Sequence, residues 1–170
     1  VMTRQDYIKK WFSYGVTLVL VAVLQGLVFT RLRVFGLIPM LLPLALVALA
    51  TLEGPVSGAG FGIAVGIVSM YVDGGSAWAI VLACIGGLAV GLIARYVLRQ
   101  DFIGHLICSV GLLILRMVWC VIPRWIDGVP ELPVLLRVGI GELLWTLVFT
   151  PVIYLMFRFV YRRWGSAYYA

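Results

Sequence analysis

The sequence predicts an all-α integral membrane protein, a single domain built as a compact bundle of six membrane-spanning helices with both termini in the cytoplasm. Three observations carry that expectation. Hydrophobic residues fill 64% of the 170 positions and charged residues only 12%, against about 45–50% and 25% in a soluble domain. Apolar runs of about 20 residues, the length that crosses a bilayer core, follow one another from end to end. The basic residues stand at the ends of those runs, where they meet lipid headgroups.

Residues 1–10 are polar with aromatic company at Tyr7 and Trp11, as suits an interfacial lead-in. Arg4, Lys9 and Lys10 before an apolar run resemble a signal peptide. That run is too long for a signal h-region and lacks a small-residue cleavage site, so it reads as a retained first span over residues 12–30. The second span covers residues 34–52 and carries Pro39 and Pro43 near its start, where neighbouring helices can re-satisfy freed carbonyls. Glu53-Gly54-Pro55 reads as a tight turn into the third span, residues 56–72, and Asp73-Gly74-Gly75-Ser76 as the next turn. The fourth span is residues 77–98 and the fifth 102–122. A proline-rich loop fills 123–133, and the sixth span is 134–161.

Orientation follows from the arginines and lysines. With the N-terminus inside, Arg4, Lys9, Lys10, Arg95, Arg99, Arg158, Arg162 and Arg163 are cytoplasmic, against Arg31, Arg33, Arg124 and Arg137 outside. The net charge of +6 is thus a membrane-anchoring charge rather than a nucleic-acid footprint. Cys84, Cys108 and Cys120 lie apart inside apolar runs and read as small packing residues. The one histidine, His105, reads as a solvated or interfacial residue near the cytoplasmic face. The chain carries no phosphate-binding loop, nucleophile elbow, zinc-protease motif or paired carboxylates. The expectation is a non-enzymatic protein with no cofactor and no catalytic or metal-binding residues.

Two features inside the spans invite a structural test. Gly54, Gly58, Gly62 and Gly66 recur every fourth residue, as do Ala79, Ala83, Gly87 and Gly91 in the next span. That spacing makes one smooth helix face each, over which another backbone can approach closely. The two faces either pack on each other or receive a partner helix. Arg116 and Glu142 both come out about 10–14 Å below the outer surface at 1.5 Å per residue, and are expected to form an intramembrane ion pair. Gln25, deep in the first span, can hydrogen-bond between helices in the same way.

The order of these features resembles the rod shape-determining protein MreD family. The resemblance rests on Leu24-Gln25, then Gly36-Leu37-Ile38-Pro39 with Leu41-Leu42-Pro43 behind it. Glu53-Gly54-Pro55 with Gly58 and Gly62 follows, then Asp73. The last span adds Glu142-Leu143-Leu144, Pro151, Tyr154 and the basic end Arg158, Arg162 and Arg163. The chain departs from the family pattern at Met40, Ser69 and Thr146, the last standing where an asparagine is common. The resemblance implies a fold like that of the S components of energy-coupling-factor transporters. It also implies a scaffold in the bacterial cytoplasmic membrane that binds MreC directly and works with MreB, RodA and a class B penicillin-binding protein. On this reading the face of Gly58, Gly62 and Gly66 docks the single helix of MreC, and a homodimer is a further possible assembly.

The main rival is an S component itself, the vitamin-binding subunit of such a transporter. S components dock their partner through an Ala-x3-Ala stripe on the first span, and Ala22-x3-Gly26 matches it only in part. Trp78, Trp119 and Trp125 fall toward the expected outer face, where they could line a ligand pocket or form the ordinary aromatic belt.

Overall fold

A computed structural model describes residues 4–29, 40–72, 77–97, 102–126 and 132–164. Among them are six α-helices and one π-helical segment, with no strand. Helix α1 (Arg4–Val23) runs on into the π-helical segment Leu24–Phe29. Then come α2 (Leu41–Glu53), α3 (Pro55–Val72), α4 (Trp78–Tyr96), α5 (Phe102–Ile126) and α6 (Leu132–Trp164). Five helices, α1 and α3 to α6, are long and apolar enough to cross a membrane.

The sixth helix differs in kind. Met40 is extended (φ −95°, ψ 90°), and α2 begins only at Leu41 and has 13 residues. At 1.5 Å per residue it spans about 20 Å, short of the roughly 30 Å hydrocarbon core. Every residue from Leu41 to Leu52 is buried, and α2 touches each of the other five helices. A helix that is apolar all round belongs in a core, and α2 forms its axis. The expected second span over 34–52 is therefore a short central helix across its described part. Residues 34–39, with Gly36 and Pro39, lie outside the described residues, as do Arg31, Arg33, Asp73, Arg99 and Asp101.

Successive helices run antiparallel where contacts fix their direction, while α2 and α6 run parallel: the Met40 end of α2 meets Thr146, and its Glu53 end meets the Tyr14 that lies against Phe157. Gln25 meets Leu41 while Lys10 meets Glu53, so α1 and α2 run in opposite directions. Tyr14 near the start of α1 stacks on Phe157 near the end of α6, which puts the outermost ends of the first and last helices at one end of the bundle. The expected loop at 123–133 is shorter than its prolines suggested. Helix α5 continues to Ile126 and α6 starts at Leu132, because Pro133 falls in a first turn, where its missing N–H costs nothing.

The outward faces are as apolar as the core. Val16 and Val19 on α1, Ile63 and Ile67 on α3, Ile85 and Leu92 on α4, and Val148 and Leu155 on α6 are all exposed. Water would not tolerate so large an apolar surface; lipid does.

Candidate functional site

The polar chemistry gathers at the two ends of α2. The first four N–H groups of a helix have no intrahelical partner, and here they open inside an apolar bundle. The Met40 N–H donates to Thr146 Oγ1 at 3.1 Å. The Leu41 and Leu42 N–H groups both donate to Gln25 Oε1, at 2.9 and 3.0 Å. The fourth position is Pro43, which has no N–H to satisfy. Two side chains from α6 and the π-helical segment thus close the whole N-terminus of α2. The extra residue per turn of a π segment falls where Gln25 must reach across. Thr146 itself donates to the Glu142 carbonyl at 2.6 Å, which fixes its rotamer.

At the other end, Glu53 lies against two residues of α1. Lys10 Nζ pairs with Glu53 Oε2 at 2.5 Å, and Tyr14 Oη donates to Glu53 Oε1 at 2.8 Å. The two charged side chains are only 7% and 9% exposed, so a desolvated ion pair with a bound phenol holds α1 to the α2–α3 corner. Tyr14 also stacks on Phe157, with ring centroids 6.1 Å apart, and so ties in α6. Next in the chain, Gly54 takes φ +93°, a left-handed backbone that favours glycine, and Pro55 opens α3. Glu53 is therefore more than the turn residue expected from sequence. The missed signal was Lys10, which lies within one turn of Tyr14 on α1.

The small-residue faces of α3 and α4 meet each other. A methyl group added at Gly58 would lie 2.6 Å from the Gly87 carbonyl oxygen, and one at Gly66 would lie 2.5 Å from Ile80 Cα. At Gly62 it would overlap the Ala83 carbonyl, and at Gly91 the backbone of Pro55. Gly54 instead serves the corner, with nothing within 4 Å of a would-be Cβ, and Ala79 is half-buried near the start of α4. Helix α4 covers the face of Gly58, Gly62 and Gly66, so a partner helix could reach it only by displacing α4.

Arg116 on α5 and Glu142 on α6 are both half-buried. Packing of Tyr154 on Phe102 and His105, with Gly139 close to Met117, sets an antiparallel register. That register brings Arg116 level with Glu142. His105 is not solvated as expected: it is fully buried, its ring 4.9 Å from that of Tyr154. One polar residue near a helix end carries no sequence signal for which way it points, so its burial could be seen only in the packing. Cys84 is half-buried and Cys108 buried, and both are free thiols. Trp78 and Trp119 are exposed, while the side chain of Trp125 lies outside the described residues. Among the described residues no group of three His, Cys, Asp or Glu side chains could hold a metal ion.

Five lipid-compatible helices around a buried sixth define a multi-pass membrane protein. Comparison with protein-family models, with curated proteins and with solved structures found no match.

Proposed function

We propose that the protein is a non-enzymatic scaffold of the MreD type in the bacterial cytoplasmic membrane. It binds MreC there and helps link MreB filaments to wall synthesis by RodA and a class B penicillin-binding protein. The observation that carries this reading is where the residues of the resemblance fall. Gln25, Leu41-Leu42-Pro43 and Glu53-Gly54-Pro55, with Gly58 against Ala50, all frame or abut α2, and Gly62 seats α4 on the same α3 face. They act as one unit rather than as scattered apolar coincidences. The exposed basic residues Lys9, Arg95, Arg162 and Arg163 stand on the helix ends that share the Lys10–Glu53 end of the bundle, which supports a cytoplasmic location for both termini.

Because α4 covers the α3 glycine face, MreC docks on an outward face in this proposal. The transporter alternative is weakened by the first span: Ala22 packs on the core, and a methyl added at Gly26 would lie 3.5 Å from Val72. Both positions are half-buried against the protein's own helices rather than laid open as a docking stripe. The experiment is affinity capture of the tagged protein from native membranes in mild detergent, followed by mass spectrometry. Recovery of MreC, RodA or the class B penicillin-binding protein supports the scaffold. Recovery of a T subunit with two ATPases replaces it with the transporter.

A further inference from the structure

The seam between α5 and α6 carries a row of buried polar side chains. Along α6, Glu142, Thr146, Thr150, Tyr154 and Arg158 recur every fourth residue and so share one face. Thr146 and Thr150 are fully buried, and Tyr154 nearly so. Across from them on α5 stand His105 and Ser109, both fully buried. The register that pairs His105 with Tyr154 brings Ser109, one turn on, level with Thr150.

The hydrogen-bond inventory of this patch does not close within the described residues. Ser109 Oγ donates to the His105 carbonyl at 2.8 Å, leaving its own lone pairs. Neither ring nitrogen of His105 has a hydrogen-bond partner among the described residues, and neither has the Thr150 hydroxyl. A neutral imidazole presents one donor and one acceptor, and a threonine hydroxyl one donor and two acceptor sites. Buried polar groups in that state are regularly joined by an internal water that makes about three hydrogen bonds. The neighbouring packing is apolar: Val47, Ala50 and Leu112 pack with Cys108, one residue before Ser109 on α5. One imidazole and two hydroxyls also fall short of a metal-binding set.

We propose that the α5–α6 seam binds an internal water held between the His105 imidazole and the Thr150 hydroxyl, with Ser109 Oγ as a further acceptor. This places a hydrated point inside the membrane domain, about one to two turns from the Arg158 end of the seam.

The chain has a single histidine, so in the full-length protein labelled with 15N-histidine and 15N-leucine, carried on a histidine-free tag in lipid bilayers, the imidazole signals report on His105 alone and the leucine amides serve as reference. Water-edited solid-state NMR then measures magnetisation transfer from water to the imidazole nitrogens. Transfer is expected at mixing times when the buried leucines Leu44 and Leu49 of α2 remain dark. T150V is expected to slow the build-up several-fold, and T150S to preserve it. An imidazole as dark as the α2 leucines in the unmodified protein overturns the proposal, whether or not either variant folds. A build-up indifferent to T150V overturns it equally.

Discussion

Gln25 shows how much one side chain can decide in an apolar bundle. Its single carbonyl oxygen accepts two backbone N–H groups that have no water to turn to. A buried donor left unmade costs about 1–3 kcal/mol, so Gln25→Leu is expected to destabilise the fold by about 2–4 kcal/mol, read by denaturant titration in detergent. Thr146→Val removes one acceptor and should cost less, about 1–2 kcal/mol on the same basis. At the opposite end, Lys10→Met strands the Glu53 carboxylate in a desolvated site, and breaking a buried pair costs about 3–5 kcal/mol. Replacing both partners, as in Lys10→Met with Glu53→Leu, should recover most of that loss, because buried pairs often gain little over apolar isosteres. A double mutant no better than the single would show that the charges have a further partner. Of these residues, only Gln25 was legible from sequence, since a lone amide in a span must find a partner. Glu53 sits in a Glu-Gly-Pro string that spells a turn, and that local signal hid its distant partner on α1.

At the scale of elements, two helix pairs contrast. The α3–α4 contact is built from missing side chains, with backbone against backbone at Gly58, Gly62, Gly66, Gly87 and Gly91. Gly62→Ala would drive a methyl into the Ala83 carbonyl and force the helices apart. Gly60→Ala on the same helix meets nothing within 4 Å and should be neutral or stabilising by up to about 1 kcal/mol. Thermal melts of the two variants side by side separate close packing from helix propensity. The four-residue spacing made this pair readable in the sequence, because it depends only on backbone geometry. Helix α2 was harder. A run that is apolar throughout reads the same whether it faces lipid or is wrapped by protein, and composition cannot distinguish a span from a core helix. What marks α2 as central is its short length, set by the extended Met40.

For the molecule as a whole, α2 is an axis and the other helices a sleeve whose outside is suited to lipid. Amides that open only with the entire fold should lie in α2, since all its neighbours must separate to expose it. Hydrogen exchange in detergent or nanodiscs is expected to protect Leu44 to Leu49 longest and the outer turns of α1 and α6 least. If α6 amides outlast those of α2, the sleeve rather than the axis holds the bundle together. The overall plan of apolar helices was open to sequence reading because the bilayer fixes length and polarity. The inward orientation of His105 was not, because it depends on which of several equivalent helix faces meets α6.

The closure of α2 by residues far apart in the chain bears on biogenesis. Gln25 leaves the ribosome before α2 does and can meet Leu41 and Leu42 at once. Thr146 lies 106 residues beyond Met40 and arrives only after α1 to α5 have been made. A nascent chain therefore waits, with one backbone donor uncovered inside the bilayer, until α6 is inserted. Truncation before α6 would leave that donor exposed, and such a chain is an obvious substrate for membrane quality-control proteases. The core around α2 closes only when α6 is in place.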